Sequence, residues 1–399
     1  MSGKTEKIPL KMALLTPVFV GSGKSAVFGQ DVEIIENRAV FYSFDKILER
    51  AAGDRRMLEK ISEKLKNGGS IFEMVSGNVL KESELYTINA EKPIAYSNEI
   101  LTFVKDARNI PFIPATSLKG SLRTLLMWYY LEEHPKIKRQ LEEKIEKISN
   151  IRDKRLRRKE FWKISKNEDP QNKVFGKKAQ QDILKTVRVD DAYGSVKNLS
   201  VNTVKVFDVT NDGKHAGFKS LGRNARLESI DRATPILVEA MKPGTELKTA
   251  IHIDKFFLEE SVLQNKDWFK KNVFDDTYRN LCKISSEYAL KKIKKDGRFL
   301  LNYRGQLPSI DLVLKRLANL IDIVEKDKNA IYLQTAWGIG WKGMTGDYLD
   351  DRLAPVLADL IANRSAKIFP KTRRFATRIV NGKEMAAYPF GWIKLKMEG

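Results

Sequence analysis

The segment IPFIPATSLKGSLRTLLMWYYL, Ile110 to Leu131, limits the fold more than any other part of the chain. Its first half is extended, because Pro111 and Pro114 keep the residues before them out of the helical region. In its second half Leu118, Leu122, Leu125, Leu126 and Tyr129 recur at helical spacing along one side. An extended run that passes straight into an amphipathic helix requires an α+β core in which sheet and helix share a buried face. Thr116 or Ser117 is expected to cap the helix. Lys119 and Arg123 fall together beside the apolar stripe, and Gly120 leaves the backbone bare between them. Free N–H groups, two cations and an uncovered backbone suit a row of phosphates. A capped helix with solvated charges is the plain alternative.

The rest of the chain reads as parts of one module. Ile8 to Val20 is apolar and β-branched at intervals, and Ile34 to Phe44 is a hairpin turning at Asn37-Arg38. These open a first core part over 8–130, with a helical insertion near 45–85 whose first helix runs from Asp45 to about Asn67 and closes at Gly68-Gly69. A charged helical insertion occupies 131–182. Its RDKRLRRK run, Arg152 to Lys159, holds six cations in eight residues and reads as a solvated face. A core strand, Ile183 to Val189, and a long hairpin arm built from Pro235–Val238 and Leu247–Asp254 fill 183–255. Arg223, Arg226 and Arg232 stand in the polar stretch before that arm. A second helical insertion spans 256–330, and 331–399 carries a glycine-rich loop and the closing strands.

Charge narrows the partners. The 399 residues include 72 Lys and Arg against 51 Asp and Glu, a formal charge of +21. Such an imbalance favours a polyanion; an adaptation to heat would add both signs together. No apolar run is long enough to span a bilayer, and MSGKTEKIPLK lacks the apolar centre of a signal peptide. A cytoplasmic protein without membrane contact is expected. The single cysteine, Cys282, allows no internal disulfide. His134, His215 and His252 lie far apart and give no zinc spacing. Gly21-Ser22-Gly23-Lys24-Ser25 ends like a P-loop, but Val18 stands where the first glycine is required. The stretch reads instead as a glycine hairpin at the end of the first strand.

The second concentrated signal is TAWGIGWKGMTGDYL, Thr335 to Leu349, where Gly338, Gly340, Gly343 and Gly346 alternate with Trp337, Trp341, Lys342 and Met344. Glycines let a backbone approach a ligand closely, and the tryptophans can stack on bases or support the loop. Beyond it lie a basic segment with Arg373 and Arg374, an Asn-Gly hairpin, and a last strand from Trp392 to Leu395.

Taken together, TPVFVGSG, PFIPATSLKGSLRTLL, WGIGWKG, KTRR and PFGWIKL make the chain similar to the RAMP superfamily of CRISPR-associated proteins. Motif order and length most resemble its backbone-capping members in type III-A (Csm) interference complexes, the fifth Csm subunit. The resemblance implies an RRM-like, ferredoxin-type RAMP core with a thumb hairpin and large helical insertions. It also implies contact with crRNA and target RNA, and with other Csm subunits, chiefly the adjoining backbone RAMP and the small helical subunit. Carried over, Ser117, Lys119, Gly120 and Arg123 would touch phosphates, and Gly338, Gly340, Lys342 and Gly343 would form a close-approach loop. Gly21, Ser22, Gly23 and Lys24 would flank the same path. IDRATPILVEAMKPGTEL, Ile230 to Leu247, resembles the thumb.

The resemblance implies a noncatalytic subunit with no cofactor and no metal. Asp31 is the nearest aspartate to the Gly-Ser-Gly turn, and cleavage is not expected in the capping members. The alternative is a metal-dependent endoribonuclease acting on crRNA or target RNA, for which Asp190-Asp191 and Asp208 with Asp212 are the available carboxylates. Adjacent aspartates on a strand point to opposite faces, which speaks against a shared ion and for a role in a turn. His215, in a polar loop, is the one histidine worth testing as a general acid or base.

Overall fold

Ile8, Leu10, Met12 and Leu14 project to one side of the first strand, β1 (Thr5–Leu14), and all four are buried. That period of two fixes the strand's register. The computed structural model describes residues 5–92, 97–167, 169–220, 226–362 and 365–398. After β1 come β2 (Gly21–Val27), β3 (Val32–Ile35), β4 (Arg38–Tyr42), α1 (Phe44–Ala51), α2 (Arg55–Lys66), α3 (Gly77–Ser83), β5 (Glu84–Ala90), β6 (Glu99–Phe103) and β7 (Phe112–Ile113). Four helices follow: α4 (Ala115–Glu133), α5 (Pro135–Ser149), α6 (Lys154–Asn167) and α7 (Pro170–Phe175). Next are β8 (Val187–Val189), β9 (Ala192–Tyr193), β10 (Leu199–Val209), β11 (Ala216–Lys219), β12 (Leu227–Glu228), β13 (Ile236–Met241) and β14 (Glu246–Asp254). The chain ends through α8 (Lys266–Phe269), α9 (Thr277–Leu301), α10 (Asp311–Lys326), β15 (Ile331–Gln334), α11 (Gly340–Thr345), α12 (Ala354–Ala362), β16 (Arg373–Val380), β17 (Lys383–Tyr388) and β18 (Trp392–Met397).

The architecture is mixed α and β, with two main sheets. One has the order β15-β18-β1-β14-β8, antiparallel throughout. Helix α4 packs on β8, β15 and α9, and α9 packs on β15. The larger sheet runs β2-β6-β13-β10-β5-β4-β3, and the β11–β12 and β16–β17 pairs join it at β10. One contiguous core, including Leu10, Phe103, Leu125, Val201, Val238 and Leu395, lies between the sheets and the helices. Smaller clusters lie among α9, α10 and β16–β17, under α1 to α3, and between α5, α6 and α12.

Three expectations change. Of the expected strand Ile183 to Val189 only Val187–Val189 is extended; Ile183–Thr186 is a 3₁₀ turn whose Leu184 N–H donates to the Asp182 carboxylate. Asp45 to Asn67 is two helices, because Gly53 interrupts the pattern and the Asp54 carboxylate accepts from the N–H groups of Arg56 and Met57 to start α2. The hairpin arm is also corrected. β13 and β14 are consecutive but belong to different sheets, β13 pairing with β10 and β6, and β14 with β1 and β8. Leu237 to Met241 are all buried. Five core residues in a row suit a central strand covered on both faces and leave nothing to extend outward.

Candidate nucleic-acid interface

Helix α4 starts differently from the expected cap. Pro114 is the N-cap with no side-chain bond, and Thr116 and Ser117 lie inside the first turn. The Asp191 carboxylate accepts from the Ala115 N–H at 2.6 Å, placing negative charge where the helix dipole favours it. The preceding Asp190 turns the other way and meets His252 Nε2 at 3.0 Å. These adjacent aspartates therefore do separate tasks on opposite faces. Arg123 is also held within the protein. Its guanidinium reaches Asp182 at 2.5 Å and Gln171 at 3.0 Å, and lies 4.1 Å from the Phe175 ring centre. Lys119 stays half-buried, its pKa lowered by burial and by Arg123, with Asp182 opposing. Gly120 is exposed, and a Cβ added there would meet nothing within 4 Å.

The glycine-rich segment lies against this helix. Thr335 Oγ1 donates to the Ser117 carbonyl at 3.1 Å, Ser121 Oγ to the Gln334 carbonyl at 3.2 Å, and Thr124 Oγ1 to the Met344 carbonyl at 3.3 Å. The Trp337 N–H donates to the Phe19 carbonyl at 3.0 Å, and the Thr335 N–H to Gly391 at 2.9 Å. Four distant motifs, TPVFVGSG, SLKGSLR, WGIGWKG and PFGW, thus meet at one place. Trp337 is a support: Phe19 and Phe390 approach it edge-on, and the Arg374 guanidinium lies 4.9 Å from its ring centre. The glycines divide by role. A Cβ at Gly338 would come 3.0 Å from Phe390, whereas Gly340, at φ +71, has open space around it. Only the latter leaves backbone free for a ligand.

Gly21 to Lys24 form no hairpin. They belong to edge strand β2, whose pairing with β6 shifts register between Gly21 and Ser25. Ser22 Oγ sits 2.7 Å from Thr102 Oγ1, while Lys24 is exposed. The reason is the positive φ of Gly23, which bulges the strand without reversing it. Arg226 is exposed and ion-paired to Glu228 beside β12, and Arg232 is exposed in the following turn; neither touches the junction of motifs. Arg223 lies outside the described residues. Asp208 is buried between Lys219 and Lys371, both at 3.4 Å, and Asp212 accepts from Thr210 Oγ1 and the Lys214 N–H. Among the described residues no group of three His, Cys, Asp or Glu could hold a metal ion, and no described helix is long and apolar enough to cross a membrane.

Behind the glycine-rich segment is a cleft of about 220 Å³ between α9, α11 and the 369–374 stretch. Trp341 and Lys342 line it, with Trp341 edge-on to Phe369 at 5.1 Å and Lys342 paired to Asp351 at 2.7 Å and Asp347 at 3.3 Å. Arg373 is fixed by Asp296, at 3.0 Å from Nε and 2.9 Å from an end nitrogen. Two of its lining cations were not foreseen. Lys295 pairs with Asp347 at 2.8 Å, and Lys292 is 6% exposed. A signal existed for Lys292: it follows Tyr288 by four residues and Ser285 by seven, the core face of α9.

The sequence profile of the RAMP superfamily matches residues 11–300, which contain the end of β1, the whole of α4 and most of α9. The chain belongs to the RAMP superfamily. Two solved structures share this RAMP fold. A chain in a cryo-EM structure of a Csm–crRNA–target RNA ternary complex of a type III-A CRISPR-Cas system aligns with TM-score 0.65 at 21% identity, over 98% of this chain and 100% of that one. The crystal structure of T. onnurineus Csm5 aligns with TM-score 0.62 at 18% identity, over 96% of this RAMP and 99% of that chain. No curated protein matches the sequence.

Proposed function

We propose that this RAMP is a noncatalytic RNA-binding subunit of a type III-A CRISPR effector complex. It caps the backbone filament and holds the 3′ part of the crRNA with its paired target RNA, beside the adjoining backbone RAMP and the small helical subunit. The observation that carries this reading is the meeting of SLKGSLR and WGIGWKG through the Thr335, Ser121 and Thr124 hydrogen bonds. It puts the open backbone of Gly120 and Gly340 and the ammonium of Lys119 in one neighbourhood, on a chain with formal charge +21. Such a surface grips ribose-phosphate and leaves sequence to base pairing. The alternation β1-α4-β8-β14-α9-β18, with spatial order β18-β1-β14-β8, supports a ferredoxin-type core. Full-length coverage of two Csm-type structures supports the place in the complex.

The test is RNA binding by the purified chain as salt is varied. Lys24→Ala with Lys119→Ala should weaken binding of unrelated single strands alike and reduce the salt slope by about 0.7 for each phosphate no longer neutralised. An unchanged slope in the folded double variant removes these residues from the path. Mg²⁺-dependent cleavage of guide or target RNA by the chain alone would overturn the noncatalytic assignment.

A further inference from the structure

The cleft behind the glycine-rich segment holds more positive charge than its own residues neutralise. Five cationic side chains line it against two carboxylates. Lys295, Lys342 and Arg373 are satisfied by Asp347, Asp351 and Asp296. The other two are not. Among the described residues Lys292 Nζ and Arg374 Nε are both buried and have no hydrogen-bond partner. Lys292 has only the faces of Tyr288 and Trp392, each 5.9 Å from Nζ, and the more distant charges of Asp296 and Asp347. A buried ammonium without a hydrogen-bond acceptor is costly, and a bound anion is one of the few partners that would offset that cost. Gly343 contributes room: a Cβ there would stand 2.8 Å from Lys292 Nζ.

We propose that this cleft is a pocket for a terminal phosphate monoester of the bound RNA, gripped by Lys292 Nζ and Arg374 Nε. Charge chooses the monoester. Two unpaired cations match its charge of about −1.5 to −2, whereas a diester inside a strand carries about −1 and leaves one cation uncompensated. The assignment of RNA as the carrier rests on the reading above; the phosphate chemistry of the pocket does not.

The experiment compares one short single-stranded RNA ending in hydroxyls, in a 5′-phosphate or in a 3′-phosphate, using fluorescence anisotropy with the full chain. One phosphorylated end should bind about 10-fold or more tightly than the hydroxyl end, the worth of charge-assisted hydrogen bonds. Lys292→Met should erase that preference, and without ligand should raise Tm, because an unpaired buried charge is replaced by an apolar chain of similar length. Arg374→Gln is the second variant, should the first fail to fold. Equal binding of all three ends by the wild type, or a preference that survives in a folded variant, overturns the proposal. Inorganic phosphate and a nucleoside monophosphate separate the remaining sources. If no RNA binds, the RNA reading fails, and thermal stabilisation of the wild type but not of Lys292→Met by inorganic phosphate still supports a pocket for small phosphate compounds. Equal stabilisation of both overturns it.

Discussion

Glu239, in the middle of β13, is completely buried. Its carboxylate accepts from the Phe103 N–H at 2.7 Å, Lys105 Nζ at 2.5 Å and the Tyr86 hydroxyl at 2.8 Å, tying β13 to β6 and β5. Burial lowers the Lys105 pKa against the pull of Glu239, and burial with the Glu239 charge raises that of Tyr86. Removing the acid strands a buried cation, so Glu239→Ala should cost about 3–5 kcal/mol in urea unfolding. A loss below about 1 kcal/mol would mean that Lys105 finds water instead. Lys292 makes a different prediction. Burial pushes its pKa from 10.5 down to about 8, with Asp296 and Asp347 opposing and Arg373 adding to the shift. Between those values the unfolded chain binds more protons than the folded one, so stability rises with pH through that window and the full cost applies below it. The rise amounts to about 3 kcal/mol. Lys292→Met should abolish it; parallel stability curves for wild type and variant would show that Lys292 does not titrate there.

Helix α4 concentrates what distinguishes contact from support. Gly120 lies inside the helix, where glycine costs roughly 0.5–1 kcal/mol relative to alanine. Because an added Cβ meets nothing, Gly120→Ala should raise stability by about that amount while weakening RNA binding, a pairing that packing alone does not produce. Raised stability with unchanged affinity would move the RNA off this face. The apolar stripe of α4 was legible, as were the β3–β4 and β16–β17 hairpins, since each depends on neighbours in sequence; the β3–β4 turn, though, falls at Glu36-Asn37, one residue before the expected Asn37-Arg38. Asn381 and Gly382, both at positive φ, make the two-residue turn that their types favour. What could not be read was set by distant partners. Asp191 caps α4 from 76 residues away, Arg123 is taken by Asp182, and β13 leaves its expected partner β14 for a different sheet. The bulge at Gly21 to Ser25 likewise depends on β6. For the candidate site, the residue types singled out segments that the fold brings together, but which cations remain unpaired is decided by tertiary contacts.

At the scale of the molecule, the charged insertions are carried on the same scaffold as the candidate interface. Helices α5 and α6 share a small core with α12, including Leu141, Ile145, Phe161 and Leu357, and Trp341 and Tyr348 pack against it. Arg157 and Lys154 anchor α6 to Asp359 of α12, at 2.6 Å and 3.6 Å. Part of the basic run is thus structural. Arg152, Arg155 and Lys159 remain exposed. A strand that leaves the glycine-rich segment and passes within a Debye length of these charges, about 10 Å at 0.1 M salt, would feel them through solvent. Replacing all three by Gln should leave Tm unchanged, because exposed charges contribute little to folding. RNA affinity should fall at low salt and converge with the wild type at high salt, equally for unrelated sequences. That separates the insertion from the buried pocket: loss of Lys292 removes a preference for one kind of RNA end, whereas loss of the α6 charges weakens every strand alike. If the triple variant keeps the wild-type salt slope, α6 lies away from the RNA path and its positive face is left for a protein neighbour.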